Sequence, residues 1–243
     1  MTGFVSAAAA GGISRPCGFE GRRSMRVIGG SFRGRALLGP DGLETRPITD
    51  RVKETLFNIL GVRLGTLGAI PPVEVLDVFA GTGSLGIEAV SRGARRCVFI
   101  ERNRRTLRAL RANLTTLGLA DSCAIVTDNA WAMRPPASAG GFGLIFVDPP
   151  YADAADTARV RDLLERLAAG LARDGLLVFR HEAHQDFPAG AVTGLRCADH
   201  RSYGRMRLLF YRRADAPEDA PGDDGGATTS TASEAAVPPD GGA

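Results

Sequence analysis

Lysine is nearly absent from this sequence. Lys53 stands alone among 30 basic residues, and every other one is arginine. The planar fork of arginine suits phosphates and base edges, although a GC-rich genome produces the same bias. Long hydrophobic runs are missing too: none approaches the roughly 18 residues that a bilayer-spanning helix needs, so no membrane partner is expected. Cysteine and histidine are scarce. The four cysteines (Cys17, Cys97, Cys123, Cys197) show no close pairing. Cys97 and Cys123 fall in apolar, strand-like runs and read as reduced core residues of a cytoplasmic protein. His181-Glu-Ala-His184 is one residue short of His-Glu-x-x-His and falls at a strand end rather than on a helix, so no metal site is expected. No strong oligomerisation seam is visible, and a monomer is expected.

What is present is the composition of a globular chain. With 243 residues, 44% of them hydrophobic and 23% charged, there is material for one full α/β domain with additions. The formal net charge of +3 conceals a division. From Ala214 to Ala243 the chain holds acids (Asp215, Glu218, Asp219, Asp223, Asp224, Glu234, Asp240) and no base, which leaves the preceding part markedly basic. A basic domain of this kind suits a polyanion. The tail after Arg213 is rich in Pro, Gly and acids and reads as disordered. Residues 1–24, rich in Ala, Gly, Ser and Arg, read as a disordered extension, with Met25 a plausible start.

From Met25 the text changes. Met25-Arg-Val-Ile-Gly-Gly-Ser-Phe-Arg-Gly-Arg-Ala-Leu-Leu38 holds two short apolar runs divided by glycines, the pattern of a small hairpin. Arg26, Arg33 and Arg35 would make it an arm for a phosphate backbone. Next, Thr49 or Asp50 can cap a helix whose Val52, Leu56, Ile59 and Leu60 share a face. Arg46, Arg51 and Lys53 would project near its start, as further contacts for a phosphate backbone.

Beyond Pro71-Pro72, strands and helices alternate. A strand from Val73 runs through Asp77 into Gly81-Thr-Gly83-Ser84-Leu-Gly86 and a helix over 87–92. Glycines let a ligand approach the backbone, and a helix start presents free N–H groups: together they form a cofactor cradle. A second strand, Arg96–Glu101, ends in an acid able to bind a ribose diol. A third, Cys123–Thr127, ends in Asp128-Asn129, and a fourth, Gly143–Val147, ends in Asp148-Pro149-Pro150-Tyr151. A helix over 156–171, a strand over 175–180 and two later strands (195–200, 206–211) complete the pattern. Such alternation implies a doubly wound, mostly parallel sheet. Ligands of such sheets sit at the carboxyl ends of the strands, where Gly81, Glu101, Asn129 and Asp148 all fall.

The glycine motif satisfies G-x-G-x-x-G, so by itself it supports NAD as readily as S-adenosylmethionine. Three details favour the latter: Asp77 is placed to meet a charged amino-acid moiety, Asn129 stands where an adenine could be read, and the fourth strand ends in Asp-Pro-Pro-Tyr. Two prolines fix φ and remove two donors, leaving a carboxylate and rigid carbonyls as acceptors for an exocyclic amine, with Tyr151 to stack on its ring. Asp148, Pro149, Pro150 and Tyr151 are therefore the candidate catalytic residues. Asp77, Gly81, Gly83, Ser84, Glu101 and Asn129 are the candidate cofactor-binding residues. Glu88 suits either a packing role beneath the loop or a place in the site.

These blocks occur in a familiar order. Met25-Arg-Val-Ile-Gly-Gly-x-x-Arg-Gly-Arg35, then Arg46-Pro-x-Thr-Asp-Arg-Val-Lys-Glu-Thr-Leu-Phe-Asn58, then Asp77-x-Phe-Ala-Gly-Thr-Gly-Ser-Leu-Gly-x-Glu-Ala89, then Asp148-Pro-Pro-Tyr151 resemble the bacterial RsmD-type family over residues 25–213. The resemblance implies a class I, Rossmann-like methyltransferase domain at 25–213, with residues 25–60 as its basic arm and helix. It also implies S-adenosylmethionine as cofactor, N2 of one guanine in small-subunit (16S) ribosomal RNA as target, and an assembling 30S particle as partner. Rival readings are an N6-adenine methyltransferase, since Asp-Pro-Pro-Tyr holds any exocyclic base amine, and a non-catalytic RNA-binding or ribosome-assembly protein. An NAD oxidoreductase is a more distant third.

Overall fold

The computed structural model describes residues 25–39, 48–185 and 187–217. Arg46, residues 1–24 and residues 218–243 lie outside the described residues. Chain order begins with a two-residue ladder, β1 (Met25–Arg26) against β2 (Ala36–Leu37), bridged by a 3-10 turn at Gly30–Phe32. Then follow α1 (Asp50–Arg63), β3 (Glu74–Val78), α2 (Ser84–Ser91), β4 (Arg96–Ile100), α3 (Arg104–Leu117), β5 (Cys123–Val126) and β6 (Phe142–Val147). The chain ends with α4 (Tyr151–Ala154), α5 (Thr157–Ala168), β7 (Leu171–Glu182), β8 (Leu195–Tyr203) and β9 (Met206–Arg213). Among the described residues no helix is long and apolar enough to cross a membrane.

The expected doubly wound sheet is present. Its order is β5-β4-β3-β6-β7-β9-β8, parallel from β5 to β7, with β9 antiparallel between β7 and β8. The order reverses between β3 and β6, so the crevice of an open α/β sheet opens beyond Val78 and Val147, which pair in register. Every residue of β6 is buried, as expected for a strand covered on both faces. One apolar cluster lies under the arm and α1–α3 (Val27, Leu37, Phe57, Leu60, Ile87, Leu110), and the other lies under α5 (Leu76, Ile145, Leu164, Phe179).

Local signals explain the ends. Thr49 caps α1, its hydroxyl accepting from Val52 N–H; Asn103 caps α3, and Asp156 caps α5. Gly118 closes α3 in the left-handed region at φ 68°. One expectation needs correction: the buried face of α1 is Lys53, Leu56, Phe57 and Leu60, with Val52 and Ile59 only half-buried. The Asp-Pro-Pro-Tyr turn leads straight into a helix: α4 starts at Tyr151, with Pro150 as its cap. Proline suits that place because a helix start needs no donor there.

Candidate active site

Three loops converge where β3, β4 and β6 end. After β3, Phe79 takes φ 63°, a left-handed conformation that costs a non-glycine residue about 1–2 kcal/mol. It is held there by packing on Trp131, ring centroids 4.8 Å apart. Such strain concentrates at binding loops. Gly81 (φ 58°) and Gly83 (φ 84°) continue the turn. The glycines do different jobs. A Cβ on Gly81 would meet nothing closer than 3.9 Å, so the space above its backbone is open to a ligand. A Cβ on Gly83 would come within 2.5 Å of Leu110, and one on Gly86 within 2.4 Å of Phe99 and 2.6 Å of Cys97. Those two glycines seat α2 on the sheet.

Carboxylates brace this loop from below. Asp77, almost fully buried, accepts from Gly86 N–H at 2.9 Å. Burial raises its pKa to about 7, with the charges of Asp148 and Glu101 adding to the shift and the Gly86 bond opposing it. Glu101 accepts from Gly81 N–H (2.9 Å) through one oxygen and from Arg102 and Asn103 N–H through the other. It therefore ties the end of β4 to the glycine turn. Asn129 accepts from Trp131 N–H at 3.3 Å and sits half-exposed at the end of β5. The open backbone at Gly81, the acid beside it and the free start of α2 fit S-adenosylmethionine, the cofactor of class I methyltransferases. Gly81, Ser84, Glu101 and Asn129 would hold it; Asp77, expected to meet its amino-acid moiety, is buried beneath the loop and would shape it together with Gly83.

Beside this cradle, β6 ends in the acceptor cluster. Asp148 is part-buried, and its Oδ1 accepts from Arg180 Nε at 2.5 Å. Among the described residues no donor reaches Oδ2 or the carbonyls of Asp148 and Pro149, whereas the Pro150 carbonyl is taken by the N–H groups of Asp153 and Ala154. Tyr151 is half-buried, with its carbonyl held by Gln185 Nε2 at 3.0 Å and the Arg180 guanidinium 5.8 Å from its ring. Arg180, on β7, is a site residue that the sequence did not announce.

The basic arm is joined to the cradle through a buried polar network. Glu88 of α2, fully buried, accepts from Ile28 N–H and Gly29 N–H (both 2.7 Å) and from Arg92 Nε (2.8 Å). Lys53 stands 3.5 Å from the Glu88 carboxylate and donates to the Arg26 carbonyl (2.6 Å) and to Ser84 Oγ (3.2 Å). Lys53 is thus an interior strut and not a phosphate contact: burial holds its pKa below the usual lysine value, against the pull of Glu88. Glu88 has the packing role, and it anchors the arm. Asn113 of α3 accepts from Leu38 N–H and donates to the carbonyls of Leu38 and Thr82, joining arm, helix and glycine loop. Of the other arm residues, Arg26 is exposed and bonded to Asp50, Arg35 reaches the Thr116 carbonyl at 3.3 Å, and Arg33 and Arg51 are exposed. Arg201 pairs with Asp199, and Arg205 approaches Glu182.

The sequence profile of the family described as Conserved hypothetical protein 95 matches residues 25–212. The Bacillus subtilis protein named "Putative rRNA methyltransferase YlbH" is 35% identical over 194 residues, covering 78% of this chain and 99% of its own. "Ribosomal RNA small subunit methyltransferase D" of Escherichia coli is 41% identical over 132 residues, 54% of this chain and 63% of that protein. Among solved structures, "Putative methyltransferase yhhF from Escherichia coli" superposes with a TM-score of 0.62 at 34% identity, over 78% of this chain and 98% of that one. With this fold, this strand order and this extent of similarity, the chain belongs to the Conserved hypothetical protein 95 family, the RsmD family of class I methyltransferases.

Proposed function

We propose that this protein methylates the exocyclic N2 amine of one guanine in small-subunit ribosomal RNA. The observation that carries the reading is the acceptor cluster at the end of β6: Asp148 Oδ2 and the Pro149 carbonyl lie free beside the open glycine turn of β3. When bound, S-adenosylmethionine supplies a sulfonium-activated methyl group. The amine of guanine is a poor nucleophile because its lone pair is delocalised into the ring. Asp148 and Pro149 accept its two N–H groups, draw the nitrogen toward tetrahedral geometry and aim the lone pair at the cradle. Positioning and electrostatics then supply most of the rate. No strong general base is needed, since alkylation makes the nitrogen acidic and its proton passes out through Asp148. The Tyr151 ring stacks on the base, which must leave its RNA neighbours to enter. Arg180 holds Asp148 through Oδ1, so that Oδ2 faces the base.

The names of the relatives support ribosomal RNA as the substrate class. The expected setting is an assembling small subunit in the cytoplasm, met by a monomer through the exposed arginines of the arm. The test is transfer of labelled methyl groups to small subunits that lack their usual methylation. Asp148→Asn and Asp148→Ala should each cut turnover at least a hundredfold while cofactor affinity stays within threefold of the parent. Retained turnover in Asp148→Ala would remove the carboxylate from the mechanism.

A further inference from the structure

Helix α3 carries a charge pattern that packing does not require. Arg102, Arg104, Arg105, Arg108 and Arg111 are all exposed, and no acid occurs from Arg102 to Ala120. At helical spacing Arg104, Arg108 and Arg111 share one face, which borders the buried stripe of Leu107, Leu110, Leu114 and Leu117. Among the described residues none of these arginine side chains has an ion-pair or hydrogen-bond partner. The arrangement works against the helix itself: like charges at three- and four-residue spacing repel, and Arg104 and Arg105 in the first turn oppose the helix dipole. Genomic preference for arginine over lysine does not explain the missing acids. On the other face of the sheet, α5 mixes its arginines with Asp162 and Glu165 and pairs Arg166 with Asp162.

Position adds to composition. The first turn of α3 follows Glu101 directly and stands at the rim of the cradle, while its last turn holds the arm through the Arg35–Thr116 bond. The stripe therefore begins at the active-site rim, on the helix whose far end holds Arg35 of the arm. We propose that the Arg104, Arg108 and Arg111 face of α3 is an RNA-backbone track that continues the arm and leads the substrate strand to the site. This rests on the ribosomal RNA reading above. The occupant is a phosphate backbone, because the face offers guanidinium forks and its helix carries no acid.

The test is the full-length triple variant Arg104→Gln/Arg108→Gln/Arg111→Gln, with Arg161→Gln/Arg173→Gln as a control on α5 and β7. Binding to unmethylated small-subunit RNA is measured between 50 and 200 mM salt. Each lost phosphate contact removes about 0.7–0.9 from the log–log salt slope, so three contacts shrink the parent's loss of affinity over that range by about 20- to 40-fold. The KM for RNA should rise more than tenfold with kcat and cofactor affinity unchanged. The control pair should behave as the parent, and Arg→Lys at the three α3 positions should restore the slope. If the parent binds and methylates RNA but the glutamine variant keeps its slope and KM within twofold, the track is refuted and the substrate reading stands. If the parent itself shows no salt-dependent RNA binding, both fall.

Discussion

Replacing Glu88 with glutamine should show how firmly the basic arm is fastened to the cofactor cradle. Glu88 has no exposed surface, and its two oxygens serve Ile28 N–H, Gly29 N–H and the cations of Arg92 and Lys53. Glutamine keeps the volume but offers one acceptor and turns an amide NH2 toward donors. Two buried cations then lose their counter-charge, and removing one partner of a buried pair costs about 3–5 kcal/mol. Against a total stability of about 5–15 kcal/mol this is a large fraction. For a domain of this size it corresponds to a fall of roughly 10 °C or more in Tm. Urea unfolding followed by circular dichroism reads the loss directly. Adding Lys53→Met removes one of the stranded cations, so the double variant should lose at least about 1 kcal/mol less than the sum of the single losses. A Glu88→Gln protein within about 0.5 kcal/mol of the parent, or strictly additive variants, would refute the strut.

Other consequences are open to simple assays. Asp77, with a folded-state pKa of about 7 against an ordinary 3.8, binds its proton more tightly in the folded protein. Its contribution to stability is therefore present below about pH 4 and lost as pH rises through 7; Asp77→Asn, whose amide oxygen can still accept from Gly86, should flatten that part of the cofactor-free stability profile. Gly81→Ala should cost only about 1–2 kcal/mol, from its positive φ, since nothing stands within 3.9 Å of the new carbon, yet calorimetry should show cofactor affinity reduced more than tenfold. Gly83→Ala should be worse for folding, because its carbon would strike Leu110 at 2.5 Å. Arg180→Met should lower kcat by roughly a hundredfold, the scale of a small misplacement at a reacting centre, with cofactor affinity intact and partial recovery in Arg180→Lys.

Much of the frame was legible because its signals are local. The glycine turn, the acid at Glu101 and the proline stop after Asp148 each follow a short apolar strand, and strand ends in a doubly wound sheet meet on one edge. What escaped lies in contacts between distant parts of the chain. Lys53 sits among Arg51, Glu54 and Thr55 and looks like a solvated charge; only the fold brings Glu88 to it. Arg180 ends the apolar run of β7, where a charge signals an exit to solvent, and nothing near it in sequence marks Asp148 as its partner. Asn113 lies in the middle of an amphipathic helix, and its three bonds run to segments far away in sequence. The left-handed Phe79 shows only in the backbone, since its side chain carries no signal of a turn.

The claim at the centre of this account is that Asp148 and Pro149 present a guanine N2 amine to the cradle. The most direct test is to methylate undermethylated small subunits with labelled S-adenosylmethionine, digest the RNA and identify the labelled nucleoside. The account predicts N2-methylguanosine at a single position, absent with Asp148→Ala. Label in N6-methyladenosine, or none despite measured cofactor binding, would contradict it.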